Sequence, residues 1–127
     1  MKHTKPKIHG LIPVLPVADV DAALTYYHDA LGFSVEGRHA DASGDIVFGS
    51  VLCGGANFYF RKTKKPIAAN HCMVYVEEVD EFCATLKARG VRILEDPEDK
   101  PWGYRQFVLE DINGHTLSVF RFSDGVE

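Results

Sequence analysis

The sequence predicts an α+β fold in which two tandem βαβββ modules form curved mixed sheets around a cavity. Its clearest feature is an internal repeat, because VADVD at residues 17–21 lies 59 residues before VEEVD at residues 76–80. A constant spacing of this kind indicates a duplicated unit. Each copy ends an extended apolar run and begins a helical pattern, and the residues after each helix are typical of strands separated by turns.

Two amphipathic helices are predicted, over residues 19–31 and residues 79–89. In both segments apolar side chains recur at helical spacing, and Gly32 and Gly90 follow as stop signals. The apolar positions are Ala23, Leu24, Tyr27 and Leu31 in the first helix and Val79, Phe82, Cys83 and Leu86 in the second. We expect each helix to cover one face of a sheet, which leaves the other face to be covered by the second sheet or by a partner chain.

Eight strands are predicted, four in each module. Tight hairpins are expected at Gly54-Gly55 and at Asn113-Gly114, since both pairs suit turns that need a positive φ. The predicted strands span residues 8–17, 33–39, 45–53 and 56–62, and then residues 70–77, 91–95, 104–110 and 116–122. The chain of 127 residues fits a single domain. Module one covers about residues 8–62, a polar linker about 63–69, and module two about 70–122.

Composition excludes several classes of function. The net charge of −4 argues against nucleic acid, whose phosphates require a basic surface, and mildly favours a cationic ligand. The apolar run at residues 8–17 is broken by Pro13 and Pro16, so we expect neither a signal peptide nor a membrane span. The cysteines number three and lack the spacing of a zinc site. They therefore favour reduced thiols and a cytoplasmic location.

Three segments carry a family resemblance. LPVADVDAALTYYHDALGFSV at residues 15–35, PWG at residues 101–103 and FVLEDINGHTLSVF at residues 107–120 resemble the vicinal-oxygen-chelate superfamily of glyoxalases, bleomycin resistance proteins and dioxygenases. The bleomycin-resistance branch is the most similar. The resemblance implies the duplicated fold, a ligand cavity and a homodimer in which two chains share each cavity. The resemblance says less about activity than about fold, because proteins with this fold include lyases, dioxygenases, transferases and binding proteins.

The resemblance also implies four positions for the ligands of a catalytic divalent metal. They correspond here to Ile12, Tyr59, His71 and Ser118, of which His71 alone has a normal ligand side chain. One histidine does not hold a catalytic ion, since protein zinc sites need three or four ligands. We therefore predict no metal site, no cofactor and no catalytic residue, and we expect His71 to be a polar group of the cavity wall.

The remaining features favour ligand binding. Strand alternation places Ser118 on the cavity side of the last strand, and Asn57 and Tyr59 together on one face of the strand at residues 56–62. Trp102 matches the position of a tryptophan that, in the antibiotic-binding branch, stacks on the flat tail of bleomycin, and Tyr104 lies beside it at the rim. The loop at residues 40–44 lacks the second aromatic side chain of that branch.

The leading hypothesis is a metal-free protein that binds a small molecule, flat or cationic, such as an antibiotic, and acts by sequestration. Its predicted contacts are Trp102, Tyr104, Tyr59, His71, Ser118 and Asn57. A second hypothesis is a glyoxalase-like or dioxygenase-like enzyme with an atypical or absent metal site, which would need His71 with unexpected partners. A third is an interaction module whose cavity is incidental.

Overall fold

The computed structural model describes residues 4–123, which contain two helices and eight strands. The first four strands form one sheet, and the last four form a second sheet of the same topology. The first half consists of β1 (Val14–Val17), α1 (Val20–Asp29), β2 (Ser34–Ala40), β3 (Ile46–Cys53) and β4 (Ala56–Lys62). The second half consists of β5 (His71–Tyr75), α2 (Val79–Ala88), β6 (Arg92–Asp99), β7 (Tyr104–Glu110) and β8 (Thr116–Phe122).

Both sheets are mixed, and their strand orders correspond. The orders are β1-β4-β3-β2 and β5-β8-β7-β6, with the parallel pair at β1 and β4 in one sheet and at β5 and β8 in the other. The remaining pairs are antiparallel. The predicted α+β fold of two βαβββ modules is therefore confirmed.

The ends of α1 follow from its capping residues. The side chain of Asp19 accepts a hydrogen bond from the backbone N–H of Ala22 at 3.0 Å, so the helix begins one residue later than predicted. At the other end the N–H of Phe33 donates to the carbonyl of Tyr27 at 2.9 Å, and Gly32 has a φ of +85°. The N–H of Gly32 also donates to the carbonyl of His28 at 3.2 Å, which is an αL-type stop and ends the helix before the predicted residue 31.

Two strands differ from the sequence prediction by four residues or more. The strand predicted over residues 8–17 exists over Val14–Val17 alone, because Pro13 has no N–H for a ladder and Ile8 and Leu11 lie exposed. The strand predicted over residues 91–95 extends to Asp99. It crosses Pro97 because β6 is an edge strand with register shifts, where a proline is tolerated.

The core lies between each helix and the sheet that it covers. The ring of Tyr27 is fully buried and makes edge contacts with Phe33, Phe58 and Phe60 at centroid distances of 5.7, 5.7 and 4.8 Å. At Gly49 a Cβ would lie 3.0 Å from side-chain atoms of Leu24 and Val20, so glycine permits the close approach of α1 to β3.

A buried polar network joins the two modules. The hydroxyl of Tyr27 on α1 donates to Oδ2 of Asp111 at 2.8 Å. In the fully buried His115, Nδ1 accepts from the N–H of Asn70 at 2.9 Å, which leaves Nε2 to donate to the carbonyl of Pro16 at 2.8 Å. Burial, and then the nearby Asp111 carboxylate, raise the pKa of Tyr27 well above its usual value, so its hydroxyl stays a donor.

Among the described residues, neither helix is long and apolar enough to span a lipid bilayer.

Candidate functional site

The side of the second sheet that faces away from α2 carries a cluster of aromatic and polar side chains. Alternate residues, such as Leu117 and Val119 on β8, point to the core and are buried. Their neighbours point the other way and form what we call the module-two face: His71, Met73, Tyr75, Tyr104, Gln106, Thr116, Ser118, Phe120 and Phe122.

Three aromatic rings on this face form a stack that crosses three strands. Phe120 on β8 lies at the centre, with Tyr75 of β5 on one side at 5.4 Å and 19° and Tyr104 of β7 on the other at 4.6 Å and 23°. Phe122 contacts the two tyrosines edge-on, at 5.3 and 5.4 Å. We call Tyr75, Phe120 and Tyr104 the aromatic stack. Its rings hold one another in place, so little side-chain freedom remains to be lost when a ligand binds.

A polar cluster lies on the same face, at the start of β5. Nδ1 of His71 is hydrogen-bonded to Oγ1 of Thr116 at 2.6 Å, and Nε2 is hydrogen-bonded to Oγ of Ser118 at 3.0 Å. His71 is exposed, whereas Ser118 is buried. The cluster therefore presents one oriented imidazole to solvent, supported from below by two hydroxyl groups.

Trp102 lies just before β7, and 57% of its surface is exposed. Its Nε1 donates a long hydrogen bond of 3.4 Å to Oε1 of Gln106. The ammonium of Lys100 lies 5.7 Å from the ring centroid and is itself bonded to Glu95 and Glu98. The hydrogen bonds to Glu98 and Glu95 raise the pKa of Lys100, so this cation over the ring stays charged. Lys100 therefore lies over the Trp102 ring, and more than half of the Trp102 surface remains exposed to solvent.

The corresponding face of the first sheet differs in character. Asn57 and Tyr59 lie on it as predicted, because Phe58 and Phe60 between them are buried in the core. The ring of Tyr59 makes an edge contact with Phe48 at 5.2 Å. In the second sheet, Tyr75 of β5 pairs with Phe120 of β8. The corresponding pair in the first sheet is Pro16 of β1 with Arg61 of β4, so the first sheet carries no matching aromatic stack.

A groove with a volume of about 1140 Å³ lies beside β5. Two of the six predicted contact residues, His71 and Asn57, line it. Tyr104 and Ser118 lie on the module-two face together with His71, and Trp102 lies next to that face through its hydrogen bond to Gln106. Tyr59 lies on the first sheet. In the single chain the six side chains are therefore divided between two faces.

The metal centre implied by the superfamily does not fit these residues. Ile12, Tyr59 and Ser118 supply no normal ligand, and both nitrogens of His71 are already hydrogen-bonded to hydroxyl groups. Across residues 4–123, no group of three or more His, Cys, Asp or Glu side chains is arranged to hold a metal ion.

Sequence reasoning missed Tyr75 and Phe122. Tyr75 follows His71 by four residues on one strand, so the two share a face by alternation, and the prediction for His71 could have been extended to Tyr75. Phe122 follows Ser118 by the same interval on β8.

Comparisons with known proteins identify the family of the chain. The family model described as "Glyoxalase/Bleomycin resistance protein/Dioxygenase superfamily" matches residues 7–119. A bleomycin resistance protein of Geobacillus stearothermophilus is 24% identical, over 87% of this chain and 94% of its own length.

Two solved structures extend the comparison. TioX from Micromonospora sp. ML1 is 28% identical with a TM-score of 0.78, covering 88% of this chain and 97% of its own. The bleomycin-binding protein of Streptomyces verticillus, solved with copper(II)-bleomycin, is 25% identical with a TM-score of 0.73, covering 91% and 97%. With the family model matching nearly its whole length, the chain belongs to the glyoxalase/bleomycin resistance protein/dioxygenase superfamily.

Proposed function

We propose that this protein binds a small, flat organic molecule on the module-two face and acts by sequestration rather than by turnover. The observation that carries the proposal is the combination on one surface of an exposed Trp102, the aromatic stack and the His71 cluster. Aromatic side chains bind flat molecules by burying area and by stacking, which adds about 0.5–1.5 kcal/mol per ring pair. The hydroxyl-bonded imidazole of His71 supplies a directional polar contact beside them.

The relatives support the same class of function. The Streptomyces verticillus protein was solved with copper(II)-bleomycin bound, and the Geobacillus relative is a bleomycin resistance protein. Identities of 24–25% do not carry over the ligand itself. The β2–β3 loop at residues 41–45 has no aromatic residue, so a sandwich of a flat ligand between that loop and Trp102 is not available here. We therefore propose a ligand other than bleomycin.

We further propose that the protein is a homodimer. Large apolar side chains on or next to the module-two face are exposed in the single chain, including Met73 at 50%, Trp102 at 57% and Phe122 at 40%. A patch of this kind on one chain favours coverage by a second copy. Sedimentation equilibrium measures the assembly, and a monomer at micromolar concentration would contradict this part of the proposal.

We also propose a cytoplasmic location, since Cys53, Cys72 and Cys83 are all free thiols.

Trp102 is the single tryptophan of the chain, so its fluorescence reports directly on the proposed site. We expect a flat heteroaromatic compound, from a panel that includes glycopeptide antibiotics, to quench this emission with one ligand per chain and to raise Tm. The ligand should be recovered unchanged from the complex. A Trp102→Phe variant is the matched control, because it keeps a ring for stacking and should retain the Tm shift while losing the optical signal. A panel without any quenching or Tm shift would contradict the proposal.

A further inference from the structure

The aromatic stack ends at Tyr75, and that end is open. Among the described residues, β5 pairs with β8 alone, so Tyr75 stands at the free edge of the second sheet. Its ring contacts are with Phe120 and Phe122, both on β8. Sixty per cent of the Tyr75 surface is exposed. The ring therefore has one face against Phe120 and the other face directed away from the stack.

The groove of about 1140 Å³ lies where the stack ends. Tyr75 and Met73 line it from β5, and apolar side chains of both modules form much of the rest of its wall. These include Leu31, Phe33, Phe58, Val74, Val76 and Phe82. Its volume matches or exceeds the roughly 300–1,000 Å³ of typical small-molecule sites. The site that the open face of Tyr75 presents is therefore apolar and large enough for a polycyclic molecule.

The charge of the lining residues distinguishes cations from anions. Glu77 and Glu78 line the groove, and no lysine or arginine is among its lining residues. Neither carboxylate forms an ion pair within residues 4–123. A ligand with a positive charge would therefore be attracted to this groove, whereas an anionic ligand would be repelled.

We propose that the groove binds a planar, cationic aromatic molecule whose ring system stacks on the open face of Tyr75 and continues the aromatic stack. This inference rests on the proposed function, because it assumes that the protein binds small organic molecules. It adds a specificity-determining residue, Tyr75, and a class of ligand. Phe120 and Phe122 contact the Tyr75 ring and hold it in its orientation before the ligand arrives, which reduces the entropic cost of binding.

The test measures the dissociation constant of proflavine, a planar tricyclic cation, by its fluorescence polarisation on the full chain. Tyr75→Ala should raise Kd by about tenfold, since it removes the stacked ring together with its buried area. Tyr75→Phe keeps the ring face and should stay within about twofold of the parent, as should Ile112→Ala, which removes an exposed apolar side chain that does not line the groove. Trp102→Ala is measured alongside them, to detect binding of the probe at the rim. Circular dichroism and Tm confirm that each variant is folded; Tyr75 is exposed, so neither substitution should unfold the chain.

The charge is tested separately. The double variant Glu77→Gln and Glu78→Gln should weaken proflavine binding by a few fold at low salt, and the difference should shrink as ionic strength rises. Tetrabutylammonium, a cation without a planar ring, should not displace proflavine at concentrations where a planar acridine does.

Three outcomes would overturn the inference. In the first, Tyr75→Ala leaves Kd unchanged and Trp102→Ala raises it, so that the probe binds at the rim; the proposed function then stands without this groove. In the second, proflavine binds neither the parent protein nor any variant. The proposed function is then judged separately, by quenching of Trp102 fluorescence with the compound panel. In the third, Tyr75→Ala dissociates a dimer without affecting proflavine, so that the groove is occupied by a second copy of the chain.

Discussion

Two loops of this protein have the same local structure in different surroundings. The β2–β3 loop at residues 41–45 and the β7–β8 loop at residues 111–115 both begin with an aspartate whose N–H donates to the carbonyl of the fifth residue, at 2.9 and 2.8 Å. In each, Oδ1 of the aspartate accepts from the N–H groups of the third and fifth residues. The fourth residue of each loop is a glycine, with φ of +89° and +86°.

The surroundings of the two loops are opposite. Asp41 and Asp45 are exposed, and Asp45 pairs with Lys62 at the surface. Asp111 and His115 are buried, and both reach across to module one through Tyr27 and through the carbonyl of Pro16. The comparison shows that a local sequence signal determines the turn, whereas residues far along the chain determine whether the turn also joins the modules.

The largest effect is expected for Asp111→Ala. It removes the acceptor of three hydrogen bonds, from the Tyr27 hydroxyl and from the N–H groups of Asn113 and His115; two of these donors are buried and that of Asn113 is partly buried. We expect a loss of about 3 kcal/mol in the free energy of unfolding, measured by urea denaturation. Asp111→Asn is the control, since it keeps an oxygen acceptor and should lose less. Equal losses for both variants would mean that the carboxylate does not make these bonds.

His115→Ala should rank second, at about 2–3 kcal/mol. It creates a cavity in a fully buried site and leaves the Asn70 N–H and the Pro16 carbonyl without a partner. The matched variant is Asp45→Ala, which changes the fifth residue of the exposed loop and should cost much less. If the two variants have the same urea midpoint, then His115 does not stabilise the junction between the modules.

The sequence predicted the parts of the molecule that depend on local order. Helical spacing with Gly32 and Gly90 located both helices, and the two-residue hairpin at Gly54-Gly55 was confirmed, since Cys53 pairs with Ala56. Alternation placed Ser118 and Tyr59 on the faces opposite their helices.

The junction between the modules could not be predicted in this way. The hydrogen bond between Tyr27 and Asp111 joins residues 84 apart, and the one between His115 and Pro16 joins residues 99 apart. Asn113-Gly114 predicted a hairpin but not its form, because the five-residue turn depends on Asp111 as a cap. The aromatic stack also joins three strands, so no single strand pattern contains it.

Tyr27→Phe tests the buried loop from the other side, with an expected cost of about 1–2 kcal/mol at neutral pH because Asp111 loses its buried donor. The cost should depend on alkaline pH. Burial raises the folded-state pKa of Tyr27 above its usual value of 10.0, so the hydroxyl favours folding below pH 10 and this contribution is lost as pH rises further.

The difference between wild type and Tyr27→Phe should therefore shrink above pH 10, by at most about 1.4 kcal/mol per pH unit. Tyr26→Phe is a useful comparison in the same titration. Burial, and then Asp111, raise the pKa of Tyr26 to about 12, but its hydroxyl is not the donor to Asp111. A constant difference across the alkaline range would show that the Tyr27 hydroxyl is not held protonated by the fold.

The smallest effect is expected for Asp41→Ala, although it removes the same local cap as Asp111→Ala. The N–H groups of Ser43 and Asp45 lose their acceptor, but both residues are exposed and water can replace it. We expect Tm to fall by no more than about 2 °C, measured by calorimetry. The hydrogen bond from Ser43 lowers the pKa of Asp41, so even this small contribution should be present above pH 3.8 and should disappear as pH falls below it. A loss as large as that of Asp111→Ala would mean that the turn itself, and not its buried contacts across the modules, supplies the stability of the β7–β8 loop.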